Sequence, residues 1–378
     1  DGVSRYEHSR YIYFPVFSLV FVPFSLFPYR IAKIIWTVLS FFSLIASLFL
    51  ILRHLSPTQS RKKNALIFSM LFMTIFYPVK TVLERGQVEP FLLLLIVVSL
   101  ILINKQENSF IGGAVFSVAA LMKFQLFVFL PFFILVGKKN AVAGMFAGIL
   151  FINLIALIML GREDMEKYYL KELPRIVQYG ESGTVEMLLK DQKFENRLKE
   201  LHYGISAKDG RYYKTSGIQL YSNASLTKAV SKRIPLSSNY VLLFFCTVVF
   251  FIAGYFQFKK QHLLKLMKNK NKYWEFWLGM LLFAVSVSPI SWTMSLVWLL
   301  PLFVVFMIDE DISIFRTDYL LVFIGFILIA FPDSWLLEIQ NSTIAKIVEG
   351  KYLYGEILIL AGLFIRFVKW EERNYGNT

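Results

Sequence analysis

Four polar clusters interrupt an otherwise apolar sequence: Glu84-Arg85-Gly86-Gln87-Val88-Glu89, Lys123, Ser222-Asn223-Ala224-Ser225-Leu226, and Ser288-Pro289-Ile290-Ser291-Trp292. Lys123 separates the apolar runs Phe110 to Met122 and Phe124 to Gly137. A cation between two such helices is costly unless it meets an anion or water. A phosphate-bearing ligand accounts for it, and so does a lysine stem lying along a helical turn with its ammonium at the interface. Gly86 permits a tight backbone turn, and Arg85, Gln87 and Glu89 around it present charge and hydrogen-bonding groups suited to a phosphate or to sugar hydroxyls. Asn223, Ser225 and Ser291 add amide and hydroxyl groups. Trp292 offers a ring face on which a sugar can stack, or else an aromatic-belt residue, and Trp298 fits the belt.

Other chemistries find little support. Cys246 is the single cysteine and lies inside the apolar run Tyr240 to Phe258, which excludes a disulfide within the chain and a cysteine-built metal cluster. The histidines His8, His54, His202 and His262 are scattered with no pair at helical spacing, so neither a protein-built zinc site nor any other metal or cofactor is expected. Asn223-Ala224-Ser225 and Asn341-Ser342-Thr343 match the glycosylation acceptor pattern, which is short and common enough to carry no weight.

The elements that hold these clusters are apolar helices. The chain has 378 residues, 56% of them hydrophobic, including 38 Phe. That is more apolar surface than one soluble core buries, so an all-α, polytopic integral membrane protein is expected. Uncharged or nearly uncharged runs occur at Phe14 to Tyr29, Ile31 to Leu52, Ala65 to Val79, Phe91 to Ile103, Phe110 to Met122, Phe124 to Gly137 and Ala141 to Gly161. Further runs follow at Tyr240 to Phe258, Phe276 to Ile308 (divided by Pro289 and Pro301), Tyr319 to Pro332 and Tyr352 to Ile365. This gives about eleven or twelve segments, organised as an N-terminal membrane block (1–161), a large loop outside the bilayer (162–239) and a C-terminal membrane block (240–378). Several runs fall short of the ~20 residues needed to span, and such short helices border cavities or meet inside the protein. The first run, with Pro15, Pro23 and Pro28, either crosses the membrane or lies at its interface. In the large loop, Met187, Phe194, Leu198 and Leu201 recur at near-helical spacing, which favours packing against the membrane part over a plain solvated loop.

The formal charge of +14 lies in short loops between apolar runs, so it reads as membrane orientation rather than as a nucleic-acid surface. Arg53, Arg61, Lys62 and Lys63, then Lys138 and Lys139, then Lys259, Lys260, Lys265, Lys268, Lys270 and Lys272 mark three cytoplasmic loops. Counting crossings from these loops places all four polar clusters and the large loop on the opposite face. Asp309 to Asp311 then falls inside, a mild disagreement because acids contribute little to orientation. The chain begins at Asp1 rather than Met, in a polar stretch with no signal-peptide pattern, so residues are expected upstream.

In order, these pieces resemble the bacterial polyprenyl-phosphate-sugar-dependent glycosyltransferases of family 87, in the GT-C superfamily, over nearly the whole chain. Tyr13-Phe14-Pro15 with Pro23 and Pro28, followed by Ala32 and Trp36, looks like the family's Tyr-x-Pro entry and following helix. Gly86-Gln87-Val88 looks like its Gly-Gln-Val loop, and Gly112-Gly113 through Ala119-Ala120-Leu121-Met122-Lys123, then Pro131, like its Gly-rich helix ending in Lys. Ser222-Asn223-Ala224-Ser225-Leu226 with Arg233 is similar to its Asn-Gln-Ser-Leu motif and trailing Arg, and Ser288-Pro289-Ile290-Ser291-Trp292 to its Ser-Pro-x-Ser-Trp motif.

The resemblance implies a GT-C-like bundle in a bacterial cell membrane, with membrane lipids around it and an extracytoplasmic site. There a polyprenyl-phosphate sugar donor, often a mannose carrier, gives its sugar to a lipid or glycan acceptor, with inversion. Lys123 and Arg85 are expected to hold the donor phosphate; Gln87, Glu89, Asn223, Ser225, Ser291 and Trp292 are expected to contact donor, sugar or acceptor. The family's catalytic Asp precedes the Tyr-x-Pro entry. Asp1 is too close to Tyr13 to match it, so the base is expected upstream of residue 1. Many relatives follow Ser-Trp with histidine, whereas Thr293, Met294 and Ser295 stand here, which leaves the sugar and acceptor open. Two other readings remain: a secondary transporter or lipid-linked-oligosaccharide flippase, for which no inverted repeat is visible, and a catalytically inactive scaffold.

Overall fold

The computed structural model describes residues 13–55, 58–174, 225–226, 230, 238–288, 291–309, 316–332 and 350–375. These residues are about 90% helical, with no strand among them. In chain order the helices are α1 (Tyr29–Leu55), α2 (Gln59–Ile75), α3 (Tyr77–Arg85), α4 (Glu89–Asn104), α5 (Ser109–Met122), α6 (Phe129–Leu135) and α7 (Lys139–Lys167). They continue as α8 (Ser238–Phe258), α9 (Lys260–Leu266), α10 (Lys270–Val287), α11 (Leu300–Ile308), α12 (Thr317–Ala330) and α13 (Lys351–Tyr375). Stretches of 3-10 helix lead into α1 (Pro15–Leu26), α6 (Phe124–Val128) and α11 (Thr293–Leu299). The helical spacing expected over Val185 to Leu201 lies outside the described residues.

Every described apolar run is helical, so the all-α polytopic membrane architecture holds. The segments differ in length from full spans, however. Tyr29–Leu55, Lys139–Lys171 and Tyr240–Phe258 are long and apolar enough to cross a membrane singly, and α2 with α3, bent by 65° at Phe76, makes a fourth candidate. At ~1.5 Å per residue a helix such as α12 rises only about 21 Å, short of a ~30 Å hydrocarbon core. Prolines explain much of the breakage. Pro78, Pro90 and Pro301 each sit in the first turn of a helix, where a missing N–H costs nothing. Pro15 and Pro23 hold the first run to 3-10 geometry, and that run ends before Pro28. It docks through Phe14 edge-to-face on Tyr168, at 5.2 Å, beyond the end of α7.

Cross-helix bonds sort the loops to two ends. Trp274 Nε1 donates to His54 Nδ1 at 2.9 Å, Tyr273 Oη donates to the Leu100 carbonyl at 2.6 Å, and Lys138 Nζ approaches the Asn104 carbonyl at 3.5 Å. An indole nitrogen only donates, so His54 Nδ1 must be the bare nitrogen of its ring. The end of α1, the end of α4, the α6–α7 turn and the start of α10 therefore share one end, bringing the expected basic loops together. At this end Arg366 of α13 is nearly buried and bonds Glu275 of α10 (Nη2 to Oε1, 2.7 Å) and Asp309 after α11, with Asp318 of α12 at 3.5 Å. Lys369 and Arg316 also pair with Asp318, at 3.0 and 2.9 Å, and Lys272 pairs with Glu275 at 2.8 Å. Asp309 thus sits among cations at the basic end, where counting crossings placed it.

Close approach of small residues joins α5 to α7. A Cβ added to Gly113 would lie 1.9 Å from the Ala141 carbonyl oxygen, and one added to Gly144 equally close to that of Phe110. Without hydrophobic drive between helices in lipid, such backbone contact is a main source of cohesion. Gly113→Ala is therefore expected to destabilise by about 1–3 kcal/mol through overpacking, read as a lower melting temperature in detergent. Gly254→Ala on α8, where nothing lies within 4 Å, is the control and should cost nothing.

Candidate functional site

The opposite end of the bundle is built from turns. α3 ends at Gly86, whose φ of 61° is open to glycine without strain. Gly86 N–H donates to Leu83 O and Gln87 N–H to Val82 O (3.4 and 3.1 Å), the paired bonds that close a helix C-terminus. Trp36 of α1 holds the same turn from outside, its Nε1 donating to the Gly86 carbonyl at 2.9 Å. Two residues after Gln87, Glu89 opens α4, where the helix dipole favours an anion.

Lys123 lies between α5 and the 3-10 turn Phe124–Val128, so its ammonium comes back to the start of α4. Lys123 Nζ meets Glu89 Oε1 at 3.0 Å; the lysine side chain is 15% exposed and the glutamate 1%. Tyr13 completes the group: Lys123 Nζ stands 5.7 Å from the centre of its ring, and its hydroxyl donates to Gln87 Oε1 at 3.2 Å. Burial, and secondarily the charge of Glu89, push the Tyr13 phenol well above its ordinary pKa, so it stays a donor. From below, Trp298 Nε1 donates to the Glu89 carbonyl at 3.0 Å, and Ser288 Oγ donates to Gln125 Oε1 at 3.1 Å.

Three of the expected site residues, Gln87, Glu89 and Lys123, are thus brought together. Ser291 is buried, and Trp292 is half-buried against the core at the start of the turn that carries Trp298. Ser225 is buried, and Asn223 lies outside the described residues. Arg85 is exposed at the end of α3, with no hydrogen bond or ion pair to Lys123 among the described residues. Trp298 departs from the belt expectation. It is 1% exposed because the Thr293–Leu299 turn folds inward, and its N–H bonds backbone rather than facing an interface. Gln125 was also missed, although a lone amide two residues past Lys123 in an apolar run was its visible signal. Among the described residues no group of His, Cys, Asp or Glu could hold a metal ion.

Fold and site define a polytopic all-α membrane protein whose helix-end turns gather a buried ion pair, an amide and a phenol at the end away from its basic loops. Residues 11–189 match the model of Glycosyltransferase family 87. This supports a membrane glycosyltransferase in general terms. The matched stretch takes in Tyr13, Gly86, Gln87, Glu89 and Lys123, whereas the clusters at Ser225 and at Ser288 to Trp292 lie beyond it. Comparison with curated proteins and with solved structures gives no match.

Proposed function

We propose that the protein transfers a sugar from a polyprenyl-phosphate-linked donor to a lipid or glycan acceptor on the extracytoplasmic side of a bacterial cell membrane. The observation that carries this reading is the buried Lys123–Glu89 pair, inside the family-matched stretch and at the end opposite the basic loops. Cytoplasmic basic loops put that end outside. Lys123 supplies the fixed positive charge that a phosphodiester requires in a water-poor setting. Arg85, exposed one residue before the Gly86 turn, reaches the same phosphate from the rim, while Gln87, Asn223, Ser225, Ser291 and Trp292 contact sugar or acceptor. A single displacement at the anomeric carbon inverts its configuration. Mannose is the first sugar to try.

The purified full chain in liposomes, given labelled polyprenyl-phosphate hexoses and a membrane lipid extract, should transfer label to lipid or glycan. Solute movement with no transfer would instead make it a transporter or flippase, and neither activity would leave a scaffold.

A further inference from the structure

Apolar packing around Phe14 fixes where Tyr13 stands. Phe14 and Phe17 are buried with Leu121 of α5 and with Tyr168, and Met122 and Phe124, the chain neighbours of Lys123, pack against the same cluster. Tyr13 is therefore carried to the end of α5 by the residue after it, and from there its hydroxyl reaches the turn between α3 and α4 at Gln87. One side chain thus touches both turns of the site. Its ring lies beneath the Lys123 ammonium, and its O–H bonds the Gln87 amide.

The two ends of the Gln87 amide are placed differently. Oε1 accepts from Tyr13 at 3.2 Å, whereas Nε2 makes no hydrogen bond among the described residues and, in a half-buried side chain, is not enclosed. Gln125 is the contrast: its Oε1 accepts from Ser288, but its Nε2 is shut inside the protein. A phenol kept protonated offers a hydrogen, so the amide oxygen of Gln87 turns to it and the two N–H groups turn away. Open amide N–H groups near an ammonium that is itself 15% exposed suit an oxygen-rich, anionic ligand.

We propose that Tyr13 is a positioning residue for the donor: its hydroxyl turns the Gln87 N–H groups toward the sugar of a polyprenyl-phosphate sugar, while its ring face keeps the Lys123 ammonium alongside for the phosphate. This role rests on the glycosyltransferase reading above. Lys123 and Gln87 then divide the donor between them. An ammonium binds the phosphate as a point charge and does not read the sugar. The amide meets a sugar hydroxyl only when rotation about its last side-chain bond is fixed, because a free amide presents its oxygen as readily as its N–H groups. The bond to Tyr13 removes that choice before the donor arrives, and such preorganisation strengthens binding without a new contact.

Two probes, sugar-free polyprenyl phosphate and polyprenyl-phosphate hexose, bound to the full chain in detergent, test this. The wild-type chain should prefer the sugar-bearing probe. Tyr13→Phe keeps the ring and removes the hydroxyl; it should weaken the sugar-bearing probe about tenfold, the loss of one oriented hydrogen bond, and leave polyprenyl phosphate unchanged. Gln87→Met keeps the side-chain length and removes the amide. It should lose the same preference, and adding Tyr13→Phe to it should change nothing more. In transfer, Tyr13→Phe should raise the donor KM about tenfold with kcat little altered.

A structural role alone would lower the amount of folded protein and leave both affinities per folded molecule unchanged, which overturns the proposal. Equal weakening of the two probes, or a full further loss when the variants are combined, overturns action through Gln87. Should Tyr13→Phe not fold, Gln87→Met decides: an unchanged preference there overturns the proposal, and a lost one supports it. A wild-type chain that prefers the sugar-bearing probe but transfers no sugar would end the glycosyltransferase reading and leave the positioning role standing. A wild-type chain with no preference overturns the positioning role, whatever it transfers.

Discussion

Lys123→Ala is expected to abolish sugar transfer, by about 10²–10³-fold or more, and to lower stability at the same time. Both effects follow from one ion pair. In the proposed function the lysine is the cation for the donor phosphate, and its loss leaves the carboxylate of Glu89, 1% exposed, without a counter-charge. Removing one partner of a buried pair costs about 3–5 kcal/mol, because the remaining charge has lost its solvent and its partner. A fall in activity alone could therefore be a fall in folded protein. The double variant Lys123→Ala with Glu89→Gln separates the two, since a neutral amide is far cheaper to bury. Its melting temperature should return toward the wild-type value while transfer stays absent. The measurements are thermal unfolding in detergent and transfer per folded molecule. Wild-type transfer by Lys123→Ala would remove Lys123 from the site.

The second large effect is expected at the other end of the bundle. Arg366 ties α13 to Glu275, Asp309 and Asp318, three acids on or beside three different helical segments. Arg366→Met leaves these carboxylates short of a cation in a setting where Asp318 is fully buried, and the expected loss is about 3–5 kcal/mol. Arg366→Lys should recover only part of it, because an ammonium cannot reach several acids with the planar fork of a guanidinium. Burial also protects the network from screening, so moderate salt should leave the difference between variants nearly unchanged. Transfer per folded molecule should be unaffected, since Lys123 and Glu89 lie at the opposite end. A melting temperature that does not move would show that Lys369, Arg316 and Lys272 suffice.

Helix content, membrane character and the grouping of basic loops were legible in the sequence because they are local properties: composition, run length and the charge of short connections. The unusual setting of Lys123 was legible for the same reason, as a lone cation between two apolar runs. Lengths were less so. The run Phe276 to Ile308 contains two prolines, but periodicity does not tell whether the chain after Pro289 spans or turns inward. It turns inward, and that places Trp298 under Glu89 rather than in an aromatic belt.

What the sequence determined by itself was a set of apolar helices, their basic and polar ends, and the residue types available at each end. Which residues touch was decided by the tertiary structure. Tyr13 finds Gln87 across 74 positions and Trp298 finds the Glu89 carbonyl across 209, and such partnerships depend on helix length, bend and crossing, which no local pattern carries. Lys123 looked like a cation waiting for a phosphate. The fold supplies an anion of its own, because a buried charge must be compensated, and Glu89 at the start of α4 is the group the packing brings within reach.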